Sequence, residues 1–302
     1  MDKIKTILIG SVGSSELVLE EMIKNHFFPE LVFSLDEAYA KKVSSFVSLT
    51  EKAEEHKIPY RKFKNINDKE NVELIAAIQP DYIFVIGLSQ LVKKDIINLA
   101  KEGVIGYHPT ALPEYRGRAA IPWQIVLGVR HSKCSLFFID EGMDSGDIIG
   151  QEDFIINEDD YANDVITSSR QALRKLLKKT ILNIKTGKIN AKSQNEEDAT
   201  YLLKRSPEDG RINWHDSLDN IHKLIRASSR PFPGAFTYYN GKSKFIIWKA
   251  EKVENNKYIG FPGQIARYTN DYIDVICSDG ILRVFEYDKG DIIKITIGNK
   301  FI

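Results

Sequence analysis

The sequence has few cysteines, no long apolar stretch and no excess of either charge, and each absence excludes a class of protein. Two cysteines in 302 residues exclude a disulfide-built scaffold, and both lie in apolar strand-like runs, which predicts buried free thiols in a reducing compartment. No run approaches the roughly 18 apolar residues of a transmembrane helix, and the run before Gly10 is too short for a signal peptide. Lys plus Arg and Asp plus Glu both number 42, so the net charge is zero. The protein therefore has no overall positive potential that would favour binding to nucleic acid or to an anionic membrane. We therefore expect a cytoplasmic protein.

The first two thirds of the chain alternate apolar strands with helical patterns. The strands at 4–9, Leu31–Leu35 and Tyr82–Ile86 are apolar or nearly so, and amphipathic helical spacing follows each of them. A strand that is apolar throughout is typical of a parallel sheet covered on both faces. The pattern predicts an α/β fold with a doubly wound, mostly parallel, Rossmann-like sheet.

The character of the sequence changes near residue 200. Residues 190–200 are polar and predict a linker or a surface crossing. Beyond them lie a short helix and five short strand candidates, with hairpin signals at Asn240-Gly241 and Ser278-Asp-Gly280. The pattern predicts a small OB-like β-domain. We expect two domains, residues 1–200 and 201–302.

The candidate chemistry lies in residues 103–147. One apolar run ends at His108, and a second leads into a loop with four carboxylates that includes Asp144. If two strand ends meet at one edge of the sheet, they bring an imidazole and a carboxylate together, which suits proton transfer. Taken singly, His108 is either a general base or a hydrogen-bonded loop histidine, and Asp144 is either its partner or an ordinary turn residue.

Other ligands are less well supported by the residues. Gly10-Ser-Val-Gly13 lacks the third glycine of a dinucleotide fingerprint, so a tight strand-to-helix turn is favoured over NAD binding. No further His or Cys is placed to complete a metal site around the carboxylate cluster, so we expect no metal. Of Arg116 and Arg118, we expect one to be structural and the other to grip an anionic substrate.

HPTALPEYRG followed by DEGMDSGDI resembles the signature of the folate-dependent formyltransferases, Asn-x-His-x-Ser-x-Leu-Pro-x-x-Arg-Gly and a later Asp-x-Gly. SPEDGRINW and LIRASSRPFPGAF are similar to the second domain of members that act on tRNA or on nucleotide sugars. The resemblance spans nearly the whole chain and, through YRGRAAIPW and RPFPGAF, is strongest to the sugar N-formyltransferases. It implies N10-formyltetrahydrofolate as cosubstrate, a nucleotide-linked amino sugar as acceptor, a role in surface polysaccharide such as lipopolysaccharide O-antigen, and a homodimer.

The resemblance also implies a role for each matched residue. His108 would move a proton between the amine and the folate nitrogen, and Asp144 would orient His108. The pterin would contact Ile86, Gly87, Leu88, Asp140, Gly142 and Asp144, and the acceptor would contact Tyr107, Thr110, Tyr115, Arg116 and Gly117. The family asparagine that donates to the formyl oxygen falls on Gly106. Its replacement would be Tyr107, the Thr110 hydroxyl, a backbone N–H or a water.

Three functions stay open on the sequence. The favoured one is an active sugar N-formyltransferase. The second is methionyl-tRNA formyltransferase, although residues 205–302 contain 15 Lys and Arg against 12 Asp and Glu, a weak field for tRNA. The third is a non-catalytic folate- or nucleotide-binding homologue in which Gly106 marks the loss of activity.

Overall fold

The computed structural model describes residues 3–43, 45–254 and 257–302. The chain forms two compact units. The first contains residues up to 120, 131–155 and 167–202, and the second contains 121–130, 156–166 and 203–302. The second unit therefore includes two short segments from the N-terminal side of the boundary predicted near residue 200.

The first unit is built on a seven-stranded sheet in the order β3-β2-β1-β4-β5-β7-β8. Its strands are β1 Thr6–Gly10, β2 Leu31–Leu35, β3 Tyr60–Phe63, β4 Tyr82–Ile86, β5 Gly103–His108, β7 His131–Phe138 and β8 Ile148–Ile155. Strands β1 to β5 are parallel, whereas β7 is antiparallel to β5 and to β8. A two-residue strand β6, Arg116–Gly117, pairs in parallel with β9, Tyr201–Leu202. The predicted mostly parallel α/β sheet is confirmed.

Helices follow most of the strands. They are α1 Gly13–Lys24, α2 Thr50–Glu55, α3 Lys69–Ile78, α4 Lys94–Ile97, α5 Ala120–Val126 and α6 Ala162–Lys185, with 3-10 turns at Glu37–Lys42 and Glu196–Asp198. Every residue of β1, β2 and β4 is buried, as the continuous apolar runs of these strands require. Of the helices in the described ranges, none is both long and apolar enough to cross a bilayer.

The second unit is an antiparallel sheet in the order β10-β11-β14-β13-β12. These strands are β10 Ala235–Tyr239, β11 Ser243–Val253, β12 Ile265–Tyr268, β13 Ile273–Ile276 and β14 Ile281–Asp288, preceded by a 3-10 turn at Pro207–Gly210 and by α7 Leu218–Ser228. The chain end joins the two sheet edges, because Phe301 bridges to Tyr239 and Lys300 to Gln264. The OB-like prediction of five short strands is confirmed.

A histidine is buried in this second unit without charge. His222 of α7 is 4% exposed, and its Nε2 lies 3.0 Å from the Ala250 carbonyl oxygen. Burial, together with the nearby Arg226 charge, lowers the pKa of His222 from 6.5 to about 4. Between about pH 6.5 and pH 4, His222 is therefore neutral in the folded protein but protonated in the unfolded chain.

We predict that His222 makes the free energy of unfolding fall by about 2 kcal/mol between about pH 7 and about pH 5. The stability that neutral His222 contributes is fully present above pH 6.5, the pKa of the unfolded chain. It is lost as the pH falls toward about 4, the pKa in the folded protein. His222→Gln keeps a donor for the Ala250 carbonyl and does not titrate, so this variant should lose that part of the acid sensitivity. Urea unfolding at both pH values measures the effect, with His215→Gln, an exposed histidine of the same unit, as the control. Equal acid sensitivity in wild type and His222→Gln would contradict the assignment.

Candidate active site

His108 ends β5 and is 6% exposed. Its Nε2 lies 2.7 Å from the carbonyl oxygen of Tyr115. Because a carbonyl oxygen only accepts, Nε2 holds the proton and donates it, which assigns the tautomer. In the neutral ring the other nitrogen, Nδ1, is then the proton acceptor, and it faces Asp144.

Asp144 is held in a left-handed backbone conformation, with φ of 53°. Its Oδ2 lies 3.7 Å from Nδ1 of His108 and accepts a hydrogen bond of 2.8 Å from the Gly117 amide. The distance of 3.7 Å is too long for a hydrogen bond but within ion-pair range. The carboxylate is therefore placed to stabilise the imidazole once it gains a proton.

Asp144 reaches His108 by a route that the sequence did not indicate. Strand β7 is antiparallel to β5, with Phe138 opposite Ile105, so β7 ends at the opposite edge from His108. The loop after β7 must double back, and a Cβ on Gly146 would lie 1.8 Å from the Phe138 carbonyl oxygen, so only glycine permits the tight return. The expectation that two strand ends meet at one edge is wrong, yet the loop still brings the carboxylate to the imidazole.

The position of the family asparagine is filled by other side chains. Gly106 lies opposite Phe137 of β7. A Cβ on Gly106 would lie 2.9 Å from Cζ of Phe137 and 2.9 Å from Cγ1 of Ile139. Phe137 is 3% exposed, so its ring has little room to move away. The glycine therefore belongs to a packed apolar contact.

Neither hydroxyl predicted to replace the asparagine is free. Thr110 is fully buried, and its Oγ1 donates to the carbonyl oxygen of Glu114 at 3.0 Å. Tyr107 alternates with His108 along β5, so its side chain lies on the other face of the sheet. There its hydroxyl is hydrogen bonded to Ser169, and burial raises its pKa. Of the predicted replacements, a backbone N–H or a water remains.

Arg116 is fully engaged within the protein. The residue is 1% exposed, and each of its five N–H groups has a partner. Nε and Nη2 donate to Oε1 of Gln194, Nη1 and Nη2 donate to the two carboxylate oxygens of Glu196, and Nη1 also donates to the Tyr201 hydroxyl. No donor is left for a ligand, which corrects the predicted substrate contact of Arg116.

Arg118 differs from Arg116 in its surroundings. It is exposed, and the one hydrogen bond of its side chain among the described residues goes from Nη2 to the carbonyl oxygen of Ser89 at 3.1 Å. The sequence predicted that one of the two arginines is structural and that the other binds substrate. Arg116 fits the structural role, and Arg118 is the one whose side chain is accessible to a ligand.

The polar segment 190–200 crosses the surface, as the sequence predicted, but its last residue also supports the site. Its Thr200 hydroxyl accepts from the Tyr115 amide at 2.8 Å, and its Thr200 carbonyl accepts from the Arg116 amide at 2.9 Å. A Cβ on Gly117, whose φ is 108°, would lie 2.4 Å from the Leu202 carbonyl oxygen. The β6–β9 pairing thus requires glycine beside Asp144. Nothing in the polar composition of SQNEEDAT signals these contacts.

The strand end predicted to face the pterin is held by the first turn of the chain. The Ile86 carbonyl accepts from the Ser15 hydroxyl at 2.5 Å, and the Gly87 carbonyl accepts from the Ser11 hydroxyl at 3.2 Å. The Gly10-Ser-Val-Gly13 stretch therefore acts as a strand-to-helix turn that fixes β4. Gly87 has φ of 60° and lies against Val12. Leu88, which follows it, is half-buried.

The Asp140–Asp144 loop is organised by its own first residue. Asp140 Oδ1 accepts from the Gly142 amide at 3.0 Å and from the Ser145 hydroxyl at 2.9 Å. A Cβ on Gly142 would lie 1.9 Å from the Ser145 hydroxyl oxygen, so a larger residue here would force that hydroxyl to rotate away from Asp140. Across the described part of the chain, no group of three or more His, Cys, Asp or Glu side chains is arranged to hold a metal ion.

The fold and the residue pattern belong to a known family. The formyl transferase model matches residues 20–181, and the model for the formyl transferase C-terminal domain matches residues 204–297. The chain belongs to the formyl transferase family and is an enzyme of the formyl-transferring class.

Similar solved structures include two sugar-modifying enzymes and one tRNA-modifying enzyme. WlaRD, a sugar 3N-formyl transferase determined in the presence of dTDP and 5-N-formyl-THF, has a TM-score of 0.69 and 22% identity over 95% of this chain and 98% of its own. An N-formyltransferase from Helicobacter canadensis, in complex with folinic acid and dTDP-3-aminofucose, has a TM-score of 0.66 and 23% identity over 94% and 100%. Methionyl-tRNA formyltransferase from Clostridium thermocellum has a TM-score of 0.60 and 21% identity over 92% and 100%.

We predict that Gly106→Asn lowers stability by about 1–3 kcal/mol, because the new side chain enters space held by Phe137 and Ile139. The cost should shrink in a Phe137→Ala background, where the ring is missing, so the two substitutions should be less than additive. Urea unfolding of the wild type, both single variants and the double variant measures the coupling. Phe138→Ala is the matched control, since Phe138 faces Gly103 instead and its combination with Gly106→Asn should be additive. Additivity with Phe137→Ala as well would show that the ring does not occupy the position of the asparagine side chain.

Proposed function

We propose that this enzyme transfers the formyl group of N10-formyltetrahydrofolate to the amine of a nucleotide-linked amino sugar, for a surface polysaccharide such as lipopolysaccharide O-antigen. The observation that supports the proposal most directly is the facing pair of Nδ1 of His108 and Oδ2 of Asp144, 3.7 Å apart. A base with a fixed tautomer and a nearby carboxylate suits a reaction in which an amine must lose a proton as it attacks a carbonyl carbon.

The proposed chemistry uses His108 as a proton carrier. The amine attacks the formyl carbon, and a new C–N bond forms. Nδ1 of His108 accepts a proton from the amine, and Asp144 stabilises the resulting imidazolium. The bond from the formyl carbon to the folate nitrogen then breaks, and the same proton is delivered to that nitrogen, so proton and charge balance. Acid–base assistance of this kind contributes on the order of 10²–10⁴-fold.

The folate would bind between the β4 end and the Asp140–Asp144 loop. Ile86, Gly87 and Leu88 would form one side, and Asp140, Gly142 and Asp144 the other. The fixed backbone at Gly87 and the glycine turn at Gly142 support this, because both let a flat ring approach the main chain closely. The two sugar-modifying neighbours were determined with a formylated folate, which agrees with this choice of cosubstrate.

The acceptor would approach over the turn that follows β5. Tyr115 and Gly117 remain candidates for contact there, and Thr110 would act by shaping the turn rather than by donating its hydroxyl. We add Arg118 as the residue that meets a phosphate of the nucleotide, since it is exposed and Arg116 has no donor left. The presence of dTDP and dTDP-3-aminofucose in the two sugar-modifying neighbours supports a nucleotide-linked amine.

Methionyl-tRNA formyltransferase is the second candidate. The structural similarity to the Clostridium thermocellum enzyme favours it, but the charges of the second unit do not. Of its basic side chains, Lys223 and Lys252 pair with Asp219, and Arg283 pairs with Asp274. With 15 Lys and Arg against 12 Asp and Glu in residues 205–302, the net positive charge available to phosphates is small. A non-catalytic homologue is the third candidate, and the retained His108 and Asp144 argue against it.

The cytoplasmic location and the homodimer are also part of the proposal. Burial raises the pKa of Cys134 and Cys277 to about 12, which suits inert thiols in a reducing compartment. Apolar side chains are exposed on the second unit, among them Ile259, Phe261 and Ile293, and these would suit contact with a second copy.

We predict that the wild type formylates one member of a panel of dTDP-, UDP- and GDP-linked amino sugars, with N10-formyltetrahydrofolate as donor. His108→Ala should lower kcat by about 10²–10⁴-fold because the amine proton loses its acceptor. His215→Ala, an exposed histidine of the second unit, is the control and should retain activity. Equal activity of wild type and His108→Ala would refute the catalytic assignment. Transfer to methionyl-tRNA with a steep salt dependence would favour the second candidate, and folate binding without any transfer would favour the third.

A further inference from the structure

Gln194 connects a buried charge to the catalytic loop. Its Oε1 accepts from Nε and Nη2 of Arg116, at 3.1 and 2.9 Å. Its Nε2 donates to the carbonyl oxygens of Asp144 and Gly146, at 2.8 and 2.7 Å. A glutamine amide has two donors and two acceptor sites, and all four are used. This side chain is therefore fixed at both ends.

The Arg116 end of this connection is rigid. The guanidinium is buried, its five N–H groups are all engaged, and Glu196 holds it with both carboxylate oxygens. Glu196 raises the pKa of Arg116, and Arg116 lowers the pKa of Glu196, so both stay charged. Moving a buried guanidinium away from its partners would leave an uncompensated buried charge, which is costly. It provides a fixed point next to the site.

The Asp144 end needs such a fixed point. Residues 140–143 of the loop are exposed, so packing does little to hold it. Asp144 has φ of 53°, a conformation that costs a non-glycine residue energy. The two bonds from Gln194 act on the carbonyls at Asp144 and Gly146, on either side of the turn in the backbone. Together with the Gly117 amide on Oδ2, they fix the carboxylate from both its main chain and its side chain.

We propose that Gln194 is a positioning residue for formyl transfer, which holds the Asp144 carboxylate at His108 by linking its loop to the buried Arg116. The inference rests on the proposed function, because it assigns Gln194 to the reaction of that same site. All the hydrogen-bonding sites of the Gln194 amide are used on Arg116 and on backbone carbonyls, so it has none left for the His108 ring or the Asp144 carboxylate. Its contribution is to the geometry of the Asp144–His108 pair, and it should act on turnover rather than on binding.

Gln194→Glu keeps the contact with Arg116 and removes the contact with the Asp144 loop. A carboxylate still accepts from Arg116, but it cannot donate to the Asp144 and Gly146 carbonyls, and its second oxygen repels them. A misplacement of about 1 Å at a reacting pair can cost about 10²-fold in rate. We expect kcat to fall by about that factor, with KM for both substrates little changed. Glu197→Gln is the matched control, because Glu197 is an exposed neighbour whose side chain has no hydrogen bond in the described structure. A fall in kcat with Glu197→Gln of the same size, or an unchanged kcat with Gln194→Glu, would overturn the proposal.

A double-mutant cycle distinguishes positioning from a general structural role. If Gln194 acts through Asp144, Gln194→Glu should have little further effect on kcat in an Asp144→Ala background. If the two losses multiply, Gln194 acts elsewhere and the proposal fails.

Hydrogen exchange provides a readout that does not require turnover. The Gly117 amide donates to Asp144 Oδ2, so its exchange should be slow in the wild type, fast in Gln194→Glu and slow in Glu197→Gln. Rapid exchange in the variant together with an inactive wild type would refute the proposed function and leave the positioning of Asp144 intact. Slow exchange in both proteins would refute the role of Gln194 whatever the activity.

Discussion

The site depends on a single buried guanidinium. A charge removed from water is tolerated only when its hydrogen-bonding groups are satisfied, and Arg116 meets this condition with Gln194, Glu196 and Tyr201. All three partners come from a segment roughly 80 positions further along the chain. The pairing therefore draws residues 194–201 onto the turn after β5, where Thr200 and Leu202 then fix the backbone at Tyr115 and Gly117. Removing the guanidinium would release the turn and the segment together.

The geometry of the proposed catalytic pair, His108 and Asp144, follows from this arrangement. His108 is placed by the end of a parallel strand, which is the rigid part of the site. Asp144 has no such support, because its strand runs in the opposite direction and its loop must return across the sheet edge. The carboxylate is held by the Gly117 amide and, through its backbone, by Gln194. An imidazole on a strand and a carboxylate on a tethered loop make a pair in which one member is fixed by the fold and the other by hydrogen bonds.

Gly106 shows how packing and chemistry constrain each other at this site. The position that matches the family asparagine lies against Phe137 and Ile139, so the polar donor is not only absent but replaced by apolar contacts. Both nearby hydroxyls are engaged elsewhere, Thr110 with the turn and Tyr107 on the opposite face. Of the donors that the sequence suggested in place of the asparagine, backbone amides and water are the ones not engaged elsewhere, and a preorganised backbone N–H can serve as an oxyanion donor.

The sequence by itself determined the elements that local patterns encode. Apolar runs identified β1, β2 and β4, hairpin glycines and alternation identified the five C-terminal strands, and the histidine and aspartate motifs identified His108 and Asp144 as candidates. Only the tertiary structure decided that Arg116 is an internal support, that Gln194, Glu196 and Thr200 hold the site, and that Phe137 fills the place beside Gly106. The reason is physical. Periodicity indicates which face of a strand or helix is buried. The contacts at the site join residues between about 30 and 85 positions apart. Their partners are determined only when the strands have paired.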